Sequence, residues 1–179
     1  MADGEAASDF LVRVLRPNLV ALAGILGDVP PDSPKAQLQL LAEAGQETGW
    51  RDIQQTGGGP GAGPWQFEPP TCALLLRHPV VGPMLVQVCT ACGVPATGDA
   101  IYAVILRNPL IAVALARLDL YSDQGPIPGI GDEDGAWECY VRVWRPGAVT
   151  RGGPLAAQEH KRWHENYTAA SAAIEGKQA

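Results

Sequence analysis

Apolar residues along the chain recur at helical spacing, and no stretch sustains the period-two alternation of a half-buried strand, so the sequence predicts a mostly α protein. Proline and glycine mark the breaks. A first helix is expected from about Asp9 to Leu26, ended by Gly27. After the turn Asp28 to Ser33, Ser33 can cap a second helix that opens on Pro34, a favourable place for a residue without an N–H, and ends near Gly49. A glycine- and proline-rich loop fills about 56 to 70, and short helices are expected around 71–77, 79–92 and 97–107. Asn108-Pro109 repeats the cap-plus-proline signal and opens Leu110 to Leu120, which is apolar nearly all round and therefore expected at the centre. An extended loop, Ser122 to Asp132, leads to a helix near 134–144, and a final amphipathic helix covers about 155–175. The expectation is one domain over residues 1–179, with about seven helices around the central hydrophobic one.

Composition supports a packed core: 46% of the residues are hydrophobic and 18% charged. The net charge of −6 removes any electrostatic reason to expect nucleic acid or an anionic membrane as partner. It also weighs against an enzyme of the often anionic cell wall. The acidic start, Met1 to Phe10, has no uninterrupted apolar run and does not read as a secretory signal. Phe10 to Leu26 includes Arg13, Arg16 and Asn18, costly in lipid, so no membrane insertion is expected. The four cysteines are Cys72, Cys89, Cys92 and Cys139. Cys89 and Cys92 form a C-x-x-C pair that admits a redox or zinc site, but no second pair follows at zinc spacing, and buried helical thiols are the expected reading. No cofactor or metal is called for.

On a wheel of about 100° per residue, Leu38, Leu40, Leu41, Ala42, Ala44 and Gly45 share one arc of the second helix, while Lys35, Gln39, Glu43 and Gln46 take the opposite arc. Glu47 falls on the boundary, where a carboxylate at the edge of a cleft would sit. Partial removal from water disfavours its charged form, and so does the negative end of the helix, so it can hold a proton for delivery. Taken alone, the wheel favours an ordinary solvated helix-end residue.

The order of features goes further. A helix ending in Gly45-Gln-Glu-Thr-Gly-Trp50 is followed by Gly61-Ala-Gly-Pro-Trp-Gln-Phe-Glu68. This resembles the lysozyme-like superfamily of lytic transglycosylases and goose-type lysozymes, in which a helix ends in a catalytic Glu followed by Ser, and a Gly-Leu-Met-Gln turn comes later. Here Glu47-Thr48 stands for Glu-Ser and Gly63-Pro-Trp-Gln66 for the turn. The likeness is greatest to short phage-encoded members. It spans about residues 38–68, with fainter likeness over Trp137 to Pro146 and Trp163 to Tyr167. Many members carry a later Ala-Tyr-Asn that brings a Tyr near the acid. The counterpart here is Trp137-Glu-Cys-Tyr140, without the Asn, which makes Tyr140 a candidate. Arg145 is either a site residue or a helix-end cap.

The resemblance implies a lysozyme-like fold and cleavage of the bond between N-acetylmuramic acid and N-acetylglucosamine in peptidoglycan, with Glu47 as general acid and base. Gly61 and Gly63 can adopt conformations closed to other residues and let a sugar chain approach the backbone. Trp50 or Trp65 offers a flat apolar face to a sugar, although Trp65 suits a core anchor equally well, and Gln66 can donate and accept hydrogen bonds. Asp52 and Glu68 are candidates for a second carboxylate. In lytic transglycosylases the single Glu suffices and leaves a 1,6-anhydro sugar, whereas a goose-type enzyme admits water. With no signal peptide, an endolysin released through a holin pore and a virion-borne enzyme are both open, the latter with other virion proteins as partners. The rival reading is an inactive lysozyme-like virion component or a wall-binding module, which Pro64 and the missing Asn favour.

Overall fold

The computed structural model describes residues 2–51, 53–55, 57–147, 149 and 152–176. It is mostly helical, as the periodicity predicts, and its elements are α1 (Ala2–Phe10), α2 (Arg16–Leu26), α3 (Pro34–Thr48), α4 (Pro69–Arg77), α5 (Val81–Ala91), α6 (Gly98–Tyr102), α7 (Pro109–Ser122), α8 (Glu133–Trp144) and α9 (Pro154–Ile174). The described residues form no strand, only isolated bridges pairing Gln54 and Phe67 with Ala62 inside the glycine-rich loop.

Several predicted ends are met by the expected chemistry. Ser33 Oγ accepts from Ala36 N at 3.3 Å and Asn108 Oδ1 from Ile111 N at 3.2 Å, each just before a helix that opens on proline. Gly49 closes α3 in the left-handed region at φ 62°, giving its N–H to Gly45 O. The first helical stretch starts seven residues earlier than expected, at Ala2 rather than Asp9, and contains Pro17. Proline has no N–H and crowds the preceding turn of an α-helix. The chain accommodates it by widening Leu11–Leu15 into a π turn, in which Arg16 N reaches back to Leu11 O.

Helix α7 is buried from Ile111 through Leu118 and again at Leu120, the central position expected of it. Helices α2 and α5 pack on α7, and α4 packs on α5 and α6. On the other side α9 lies along α3 and also meets α1 and α8. No single helix among the described residues is long and apolar enough to cross a membrane.

The wheel of α3 needs correction. Its polar arc does not face solvent: Gln39, Glu43 and Gln46 are 2%, 0% and 1% exposed. Helices α8 and α9 cover that arc and answer its polar groups. Gln39 Nε2 donates to Ala136 O of α8 at 3.1 Å and to Glu43 Oε1 at 2.8 Å. Gln46 Nε2 donates to Glu159 Oε2 of α9 at 2.7 Å, while Gln46 Oε1 accepts from Asn166 at 3.0 Å. Gly45 makes this approach possible, since a Cβ there would lie 2.6 Å from Trp50 Cζ2 and 3.0 Å from Asn166 Oδ1.

Candidate functional site

The last turn of α3 carries Glu47 into a cleft of about 500 Å³, bordered by Trp50 and Gln55 after the helix, Gln66 of the glycine loop, Asp3 of α1, and Arg162 and Asn166 of α9. Glu47 is partly exposed along this cleft, yet its carboxyl is largely shielded from water. That burial pushes it above the ordinary carboxylate range. A hydrogen bond from Tyr140 and the charge of Arg162 pull the other way, and Glu159 adds to the rise.

Tyr140 Oη donates to Glu47 Oε1 at 2.7 Å. The phenol is 1% exposed and stacks on Trp163 at 5.0 Å with the rings 20° apart, so α8 and α9 together fix its direction. Burial and the neighbouring carboxylate hold Tyr140 well above the usual phenol range, so it stays a donor. Thr48 joins the helix end to the turn: its hydroxyl lies 3.1 Å from Ala44 O and 3.0 Å from Pro64 O.

The turn Gly63 to Gln66 is nailed inward. Trp65 is 1% exposed, gives its indole N–H to Leu40 O at 3.0 Å and meets Phe10 edge-on at 5.7 Å. It is therefore the anchor and presents no face to a sugar. Gly63, at φ 75°, is buried and receives Gln66 N at 3.1 Å. A Cβ on Gly61 would meet Gln66 Oε1 at 3.0 Å. These two glycines let Gln66, rather than a ligand, come close. Gln66 itself sits at φ 52° and spends its amide donor on Ile53 O and Gly63 O, at 3.0 and 2.9 Å. Trp50 borders the Glu47 cleft, but it too is buried, 8% exposed, and gives its indole N–H to Leu41 O at 2.9 Å.

Of the carboxylates named from sequence, Asp52 lies outside the described residues, and Glu68 is exposed in a different depression. Among the described residues, the acids that share the cleft with Glu47 are Asp3, on a segment where the sequence offered no motif, and Glu165, inside the faint likeness of Trp163 to Tyr167. The other depression, about 740 Å³, meets the Glu47 cleft at Gln66 and also holds Trp144, Arg145 and Asp119. Arg145 closes α8 in the left-handed region at φ 49°, with its N–H on Val141 O, so it is a helix end on this second depression and not a neighbour of Glu47 in its cleft. Burial lifts Asp119 to about 7 against the pull of Arg145.

Sequence reasoning missed Glu43, Glu159, Arg162 and Asn166. The only trace of the last three was the faint likeness around Trp163 to Tyr167, whose two aromatic residues are both buried in the wall behind Tyr140. Cys72, Cys89 and Cys139 are buried thiols raised by desolvation, those of Cys72 and Cys139 to about 12.

The chain matches no family model, no curated protein and no solved structure.

Proposed function

We propose that this chain is a lysozyme-like enzyme that cuts the glycan strands of peptidoglycan, with Glu47 as general acid and then base. The observation that carries the reading is the Glu47–Tyr140 pair at the edge of an open cleft, a shielded carboxyl with a donor 2.7 Å from one oxygen. A carboxyl raised by burial keeps its proton to higher pH than an ordinary carboxylate and can pass it to a glycosidic oxygen as the bond to the anomeric carbon breaks. The carboxylate left behind is the form that Tyr140 stabilises. In the second half, that carboxylate takes a proton from the sugar's own 6-hydroxyl, closing a 1,6-anhydro ring, or from a water, giving a reducing end. Action at the wall then follows release through a phage holin pore or carriage in a virion.

The test is Glu47→Gln with purified peptidoglycan, products read by mass spectrometry. The native chain is expected to release anhydro or reducing muropeptides and the variant none, because the amide keeps the shape and lacks the acidic proton. Equal release by the folded variant overturns the assignment of Glu47. The inward Trp65 and the engaged amide of Gln66 favour a second reading, an inactive lysozyme-like virion component or wall-binding module. That reading predicts binding to peptidoglycan with no product from either chain.

A further inference from the structure

The last turn of α3 ends in backbone carbonyls that need donors. Those of Ala44 and Gly45 take the N–H groups of Trp50 and Gly49. The carbonyl of Thr48 takes Arg51 Nε at 2.8 Å. The carbonyl of Gln46, the residue before Glu47, takes Arg162 Nη2 at 2.7 Å from α9. Arg162 also pairs with Glu159 at 2.7 Å, and Glu159 in turn receives Gln46 Nε2. Two hydrogen bonds thus fix the guanidinium on the helix end, and a third, from Gln46 to Glu159, braces its anion, in the cleft that Glu47 borders.

We propose that Arg162 is a positioning residue for Glu47: anchored on the Gln46 carbonyl, it covers the negative end of α3 and holds the carboxylate that remains when the proton has been delivered. The inference rests on reading Glu47 as the acid. A carboxyl buried at a helix C-terminus binds its proton more firmly than an ordinary one, because burial and the helix end act in the same direction. Arg162 opposes both, alongside the neutral donor Tyr140 of α8.

The other charged groups around the acid do not take this place. Glu159 and Glu165 of α9 and Asp3 of α1 carry the wrong sign. Glu43, one turn below on α3, also has the wrong sign when ionised, and complete burial disfavours its charge. Arg51 spends its Nε on Thr48 O and is exposed, which leaves its charge to solvent. Half of the Arg162 side chain also faces solvent, so its influence is moderate rather than large.

The test reads the Glu47 titration directly, by carboxyl ¹³C NMR without substrate, with the resonance assigned from its loss in Glu47→Gln. Arg162→Gln is expected to move the Glu47 midpoint up by about half a pH unit or more, and Arg162→Lys to leave it within roughly 0.3. Glu159→Gln removes the anion while leaving the guanidinium on Gln46 O, and is expected to move the midpoint down. An unchanged midpoint in folded Arg162→Gln overturns the proposal. So does a shift of the same sign in Arg162→Gln and Glu159→Gln, which is what a purely structural brace between α3 and α9 would produce. Peptidoglycan that the native chain leaves uncut would sink the enzymatic reading alone, because the titration needs no turnover.

Discussion

Tyr140 Oη and Glu47 Oε1, 93 residues apart in sequence, meet at 2.7 Å at the end of α3. The bond favours the ionised form of an acid that burial otherwise keeps protonated. Tyr140→Phe keeps the ring stack on Trp163 and deletes that bond alone. Hydrogen bonds to charged groups contribute about 1.5–3 kcal/mol, so turnover on peptidoglycan is expected to fall by roughly ten- to a hundredfold. A general acid works below its midpoint, and removing a donor to the carboxylate raises that midpoint. The alkaline limb of the pH–rate profile should therefore move to higher pH in the variant. A native-like profile and turnover would show that the contact is incidental.

Glu43 Oε1 accepts from Gln39, but Glu43 Oε2 is buried with no partner among the described residues, and burial raises this carboxyl well above the ordinary range. The folded chain therefore keeps a proton that the unfolded chain releases near the ordinary carboxylate value of about 4.5. The associated stability is fully present below that value and is lost as pH rises through the folded-state value. Glu43→Gln cannot ionise. Urea denaturation should show the variant gaining on the native chain between about pH 4 and pH 8, by an amount on the order of 1–3 kcal/mol at the upper end. A gain of equal size at both pH values would mean that Glu43 does not titrate on folding.

Trp65 separates the anchor role from a sugar platform. Trp65→Ala empties a core site and is expected to cost about 3–5 kcal/mol in thermal or urea unfolding. Trp65→Phe keeps most of the packing but removes the indole N–H bond to Leu40 O, at a cost of about 0.5–1.5 kcal/mol. A substrate-contact role would instead raise KM and leave the melting temperature unchanged.

Much of the frame was legible because its causes are local. Ser33-Pro34 and Asn108-Pro109 act within a single turn, and the apolar run Leu110 to Leu120 has nowhere to go but the interior. The two left-handed departures in the loop, Gly63 at φ 75° and Gln66 at φ 52°, show the division. Glycine signals its own turn. A glutamine in the same region does so only because its side chain reaches back to Ile53 O and Gly63 O. The periodicity of α3 misled on its polar arc for a related reason: a wheel reports polarity, and cannot tell water from a neighbouring helix that carries matching donors and acceptors.

By itself, the sequence determined the helical class, the caps, the central helix and a carboxylate placed where α3 meets the glycine loop. All of these depend on residues within a few positions of one another. Tertiary structure alone decided what surrounds that carboxylate. Tyr140 and Arg162 arrive from helices about a hundred residues away, Trp65 turns into the core, and Glu68 falls into another depression. A carboxyl's proton affinity follows from desolvation and from the charges and donors within a few ångströms, and packing rather than local order along the chain brings those together.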